Sequence, residues 1–93
     1  VIIGLDYDDT WTRDPEGWFT ALLVLKRRNT LIYGVTMRHP HEAGGMDHRY
    51  DTLCEKVFFT GRKAKKKFVN DRGLIVDVWI DDNPIWVEVD AIR

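Results

Sequence analysis

The sequence predicts an α/β fold of three layers, a small and mainly parallel sheet with helices on both faces. Three observations predict it. Short apolar runs alternate with segments of helical length in the order strand, helix, strand, helix, strand, helix, strand. The first run is continuously apolar, as strands covered on both faces are, and it stops abruptly at acid. The segments between the runs are long enough for one crossover helix each, which makes neighbouring strands parallel.

Residues 1–6 form the first strand, ending in Asp6. Asp14-Pro15 is a helix start, with an acceptor at the N-cap and proline at the first helical position. Trp18, Leu22 and Leu25 then recur at i, i+4 and i+7 with Phe19 alongside, one apolar stripe. Lys26, Arg27 and Arg28 close that helix where its dipole favours positive charge. Residues 30–36 read as the second strand, 37–45 as a polar loop and 46–56 as a helix. A short third strand covers 57–60, and a basic helix covers 61–72, with Gly73 as its left-handed end. The fourth strand spans 74–80 and runs into Asp81-Asp82-Asn83-Pro84. Residues 85–93 fit a short helix or a fifth strand; alternation of Val87 and Val89 with Glu88 and Asp90 leans toward strand.

Composition narrows the function classes. The 93 residues, 1–93, suit a single minimal domain, and 44% apolar with 31% charged residues argues against wholesale disorder. A net charge of −1 exerts no global pull on nucleic acid or membrane. No apolar run approaches the ~20 residues of a membrane span, so no membrane partner is expected. The lone Cys54 fits a reducing compartment, and the expected location is cytoplasmic.

In such sheets ligands bind beyond the carboxyl ends of the strands. Those ends are Asp6, Thr36, Thr60 and Asp81-Asp82. Asp6, Asp8 and Asp9 crowd three carboxylates into four residues, an arrangement that is costly unless a cation or proton offsets it. Together with Asp81 and Asp82 they make an oxygen-rich site suited to Mg²⁺. Such a site suits phosphoryl transfer: one carboxylate attacks, a second two residues on moves the proton, and a hydroxyl and an ammonium steady the phosphoryl oxygens.

These motifs, in this order, resemble the haloacid dehalogenase (HAD) superfamily of phosphohydrolases. Asp6-x-Asp8-x-Thr10 matches the family's first motif, Thr36 the second, Lys63 the lysine of the third and Asp81-Asp82 the acidic pair of the fourth. The resemblance implies a Rossmann-like three-layer fold with four strands, a fifth left open. It implies Asp6 as nucleophile, Asp8 as general acid and base, and Thr36 and Lys63 as phosphoryl-stabilising catalytic groups. Mg²⁺ would be held by Asp6, Asp8, Asp81 and Asp82, with Asp8 giving its backbone carbonyl. The chain departs from the family in leaving no room for a cap domain between Asp6 and Thr36 or between Thr36 and Lys63. An uncapped site points to a bulky phosphorylated substrate, such as a nucleic-acid end or a protein.

Other readings weigh less. A receiver domain also uses Asp, Thr and Lys, but places its acidic pair first. A non-catalytic HAD-like module whose basic helix contacts nucleic acid is the main alternative. The run Arg62, Lys63, Lys65, Lys66 and Lys67 otherwise reads as a solvated helix face, Lys63 excepted. His39, His41, His48 and Cys54 match no familiar zinc spacing. Asp9 is the motif's variable position, and the four tryptophans fill core or cover the site.

Overall fold

The structure is a computed structural model that describes residues 1–91. Four strands, β1 (Ile2–Leu5), β2 (Leu31–Thr36), β3 (Val57–Phe59) and β4 (Val78–Ile80), pair in parallel in the order β3-β2-β1-β4. The chain therefore steps outward from β1 through β2 to β3 and returns to the other side of β1. That reversal lies between β1 and β4, the two strands that end in acid. Asp6 N–H donates to the Ile80 carbonyl at 3.0 Å, which holds the two ends side by side.

Among the described residues four α-helices cover the sheet: α1 (Pro15–Arg27), α2 (His48–Leu53), α3 (Lys65–Asn70) and α4 (Ile85–Glu88). Helix α1 packs on α2, and α3 on α4. Alternate strand residues point to opposite faces, so the core is double. Ile3, Leu5 and Ile32 join Trp11, Leu22, Tyr50 and Leu53 beneath α1 and α2. Val35 and Phe58 join Val69, with Tyr33, Val76 and Trp79 packed against them, beneath α3. The result is a three-layer α/β architecture with no additional cap domain among the described residues.

Helix α1 follows its sequence signals. The Asp14 carboxylate accepts from Gly17 N–H at 3.0 Å, Pro15 occupies the first turn, and Leu22 is buried. The later elements are shorter than expected. Helix α2 is confined between its cap, Asp47, and Cys54, whose extended backbone turns the chain toward β3. Strand β4 pairs only over Val78–Ile80; before it, the Asp77 carboxylate accepts from Ile2 N–H at 2.7 Å.

Two expectations are corrected. The basic helix begins at Lys65, not at residue 61, because Gly61 and Arg62 both have left-handed backbones, at φ 59° and 72°. The segment after Asn83-Pro84 is helical over Ile85–Glu88, not a strand. Proline starts that turn, with Trp86 N–H donating to Asn83 O at 3.2 Å and Val87 N–H to Pro84 O at 3.0 Å. Residues 92–93, the end of the stretch read toward strand, lie outside the described residues. Among the described residues no helix is long and apolar enough to cross a membrane.

Candidate metal centre and active site

Asp6 follows β1 directly and is 8% exposed. Oxygens of Asp6, Asp81 and Asp82 lie within 4.8 Å of one another, and this is the group of potential metal ligands found among the described residues. Lysine 65 enters from the first turn of α3, itself buried, and bridges two of them. Its Nζ donates to Asp6 Oδ1 at 2.8 Å and to Asp81 Oδ2 at 2.5 Å. Lysine 63 lies exposed in the turn before the helix and takes no part in this contact. The lysine that meets the carboxylates is therefore Lys65, two residues past Lys63, where the sequence expectation put it. Asp90 and Ala91 fix the turn between: Ala64 N–H donates to Asp90 Oδ1 at 2.6 Å and Ala91 N–H to Arg62 O at 2.8 Å.

Thr10 ties the two acidic ends together. Its hydroxyl lies 2.9 Å from Asp6 Oδ2 and 3.1 Å from Asp82 Oδ1, and it accepts from Asp82 N–H at 3.0 Å. One hydroxyl has one proton, so it serves one of the two carboxylates at a time. Asp81 also accepts from Asn83 N–H at 3.0 Å, which turns the β4 end back on itself. Burial pushes the Asp6 carboxyl up to about 6; Lys65 opposes the rise, Asp81 adds to it and Thr10 opposes it. Three carboxylates against one ammonium leave negative charge to be offset, and an all-oxygen donor set suits a hard divalent cation such as Mg²⁺.

Asp8 stands apart from that cluster. Its carboxylate accepts both Arg38 Nε at 2.9 Å and Arg38 Nη2 at 2.7 Å, so the carboxylates that converge are those of Asp6, Asp81 and Asp82. Arg38 follows β2 by two residues, lies over the Tyr7 ring and donates through Nη1 to Glu42 O at 2.8 Å. Thr36, fully buried at the end of β2, accepts Arg38 N–H at 3.3 Å; among the described residues nothing accepts its own proton. Asp9 takes a left-handed backbone at φ 61° and donates its N–H to Thr12, a turn position rather than a ligand.

A cleft of about 520 Å³ opens over the strand ends, lined by Asp6, Asp8, Thr36, Arg38, Lys65 and Asp81 among others. Arg62 and Trp86 also face it: Trp86 covers the site, one of the two places expected for a tryptophan, and Arg62 stands at the site although the sequence reads its run as a solvated face. Trp11 and Trp18 are structural: the first is buried and donates to Asp47, the second donates to Thr10 O at 2.9 Å. His39 and His41 stack on each other at 5.2 Å and join no metal cluster among the described residues. For Lys65 a signal was present in the sequence. It lies four residues before the buried Val69 and so shares that residue's inward face.

Compared with protein-family models, with curated proteins and with solved structures, the chain finds no match. The site's geometry is what bears on its chemistry: a carboxylate cluster at the β1–β4 switch point, able to hold a divalent metal and open to solvent.

Proposed function

We propose that the chain is a small, uncapped phosphohydrolase of the HAD type, acting through an aspartyl-phosphate on Asp6. The single observation that carries the reading is the meeting of Asp6, Lys65, Asp81 and Asp82 at the ends of β1 and β4, in one open cleft with Asp8 and Thr36. Bound there by Asp6, Asp81 and Asp82, Mg²⁺ would offset part of the substrate's phosphate charge.

The chain's own residues do the rest. A carboxylate oxygen of Asp6 attacks phosphorus, and the bond to the leaving oxygen breaks. Asp8, two residues on, delivers a proton to that oxygen and later takes one from the water that splits the aspartyl-phosphate. Inorganic phosphate leaves and the Asp6 carboxylate is restored. Lys65 and the Thr36 hydroxyl steady the phosphoryl oxygens during both transfers. An open cleft encloses no leaving group, which favours bulky substrates such as a phosphorylated nucleic-acid end or protein.

The test is phosphate release from nitrophenyl phosphate and from a terminally phosphorylated oligonucleotide, with Mg²⁺ and with chelator. Turnover should need the metal, and Asp6→Asn should lower it by about a thousandfold or more while the protein stays folded. Undiminished turnover in Asp6→Asn would place the nucleophile elsewhere. Metal-dependent binding without any turnover would favour the non-catalytic module.

A further inference from the structure

We propose that Arg38 is a specificity residue that binds a second phosphate, on the leaving group of the substrate, and by doing so releases Asp8. The inference rests on the phosphatase reading above and narrows its substrate to a phosphomonoester carrying another phosphate close by, as in a nucleoside bisphosphate or a terminally phosphorylated nucleotide chain.

The cleft has two poles. Asp6, Asp81 and Asp82 stand at the β1–β4 side, while Arg38 and Arg62 stand beyond the ends of β2 and β3. Arg62 is already matched: it faces the Glu42 carboxylate at 3.3 Å and donates to Met37 O at 2.6 Å. Arg38 is matched to a group with other work. While both Asp8 oxygens accept from its guanidinium, the carboxylate is held on Arg38 rather than turned to a leaving oxygen.

That pair is built to exchange. The Asp8 side chain is 51% exposed, and an ion pair so placed contributes little stability. Phosphate offers a guanidinium the same two-oxygen edge as carboxylate, with more charge. Arg38 would not be cast loose by the swap, because Nη1 stays on Glu42 O and the guanidinium carbon sits 5.1 Å above the Tyr7 ring. A second phosphate therefore compensates Arg38 at the moment it lets go of Asp8. An uncharged leaving group has to break the pair without compensation.

The experiment compares thymidine 3′,5′-bisphosphate with the 3′- and 5′-monophosphates, in Mg²⁺. Wild type should favour the bisphosphate in kcat/KM by about tenfold or more. Arg38→Ala should bring the ratio below about twofold, Arg38→Lys should keep part of it, and added guanidinium ion should restore it to the alanine variant. Binding of the bisphosphate is measured in parallel, by calorimetry on Asp6→Asn with and without Arg38→Ala. Equal kcat/KM values in wild type overturn the proposal. So does an equal loss on all three substrates in a folded Arg38→Ala protein, since Arg38 would then act on the transferred phosphoryl group. No turnover at all, with bisphosphate binding that depends on Arg38, would sink the phosphatase reading and keep the second-phosphate subsite. No turnover and no Arg38-dependent binding would sink both.

Discussion

Lys65 and Lys63 are two residues apart, carry the same charge and lie in opposite circumstances. Lys65 is buried between Asp6 and Asp81, whereas Lys63 is exposed. Removing one partner of a buried pair leaves the others uncompensated, at a cost of about 3–5 kcal/mol. Urea unfolding of Lys65→Met in chelator should show a loss of that order, and Lys63→Met a change within about 0.5 kcal/mol. Equal effects would mean that Lys65 does not bridge the carboxylates in solution. Asp6 makes a separate prediction through pH. Its folded value of about 6 lies above the ordinary 3.8, chiefly because it is buried. Between those values the folded protein binds the extra proton, so this group's contribution to stability falls as pH rises from about 4 to 6 and stays lost at pH 7. Asp6→Asn escapes the loss. In chelator its stability relative to wild type should grow by about 2 kcal/mol from pH 4 to pH 7. A difference that is flat with pH would mean that Asp6 is not raised.

Individual elements owe their placement to a few such contacts. Tyr50 of α2 reaches across the sheet, and its hydroxyl donates to Leu5 O at 2.7 Å, beside the strand end that carries Asp6. It can do so because residue 34 is glycine: a Cβ there would come within 2.6 Å of the Tyr50 hydroxyl and 2.8 Å of its ring. Gly34→Ala should therefore push α2 off β2, costing about 1–3 kcal/mol in thermal or chemical unfolding. Pairing it with Tyr50→Phe should recover part of that cost; no recovery would put the strain elsewhere. Helix α1 was legible because cap, proline and apolar stripe all agree. Helix α3 was misjudged at its start because nothing in Gly61-Arg62-Lys63-Ala64 marks a cap. The acceptor that meets Ala64 N–H belongs to Asp90, far along the chain. The segment after Pro84 fits helix or strand in the sequence, with a lean toward strand, because a two-residue alternation of valine and acid fits an exposed strand as well as one turn of helix. Only the burial of Val87 against the α3 side tells them apart.

For the molecule as a whole, the carboxylate cluster is a debt of repulsion that the unfolded chain does not carry. A divalent cation that binds only the folded form should raise stability by about 2.7 kcal/mol at a hundredfold excess over Kd. For a domain of this size that is roughly 10 °C or more in Tm. Asp81→Asn with Asp82→Asn should erase the response, and a wild-type melting curve indifferent to millimolar Mg²⁺ would mean that the three acids do not form one site. By itself the sequence determined the alternation of strands and helices, the acidic ends of the first and last strands, and the absence of room for a cap between Asp6 and Thr36 or between Thr36 and Lys63. All of these depend on residues close in the chain, where periodicity, capping and turn chemistry act. Tertiary structure alone decided which groups meet. The strand order set β1 beside β4 and so joined Asp6 to Asp81 and Asp82. A left-handed turn at Gly61-Arg62 delayed α3 and rotated Lys65, not Lys63, into the site. Arg38 drew Asp8 out of the cluster, because a guanidinium two residues past β2 lies within reach of it only once β1 and β2 are paired.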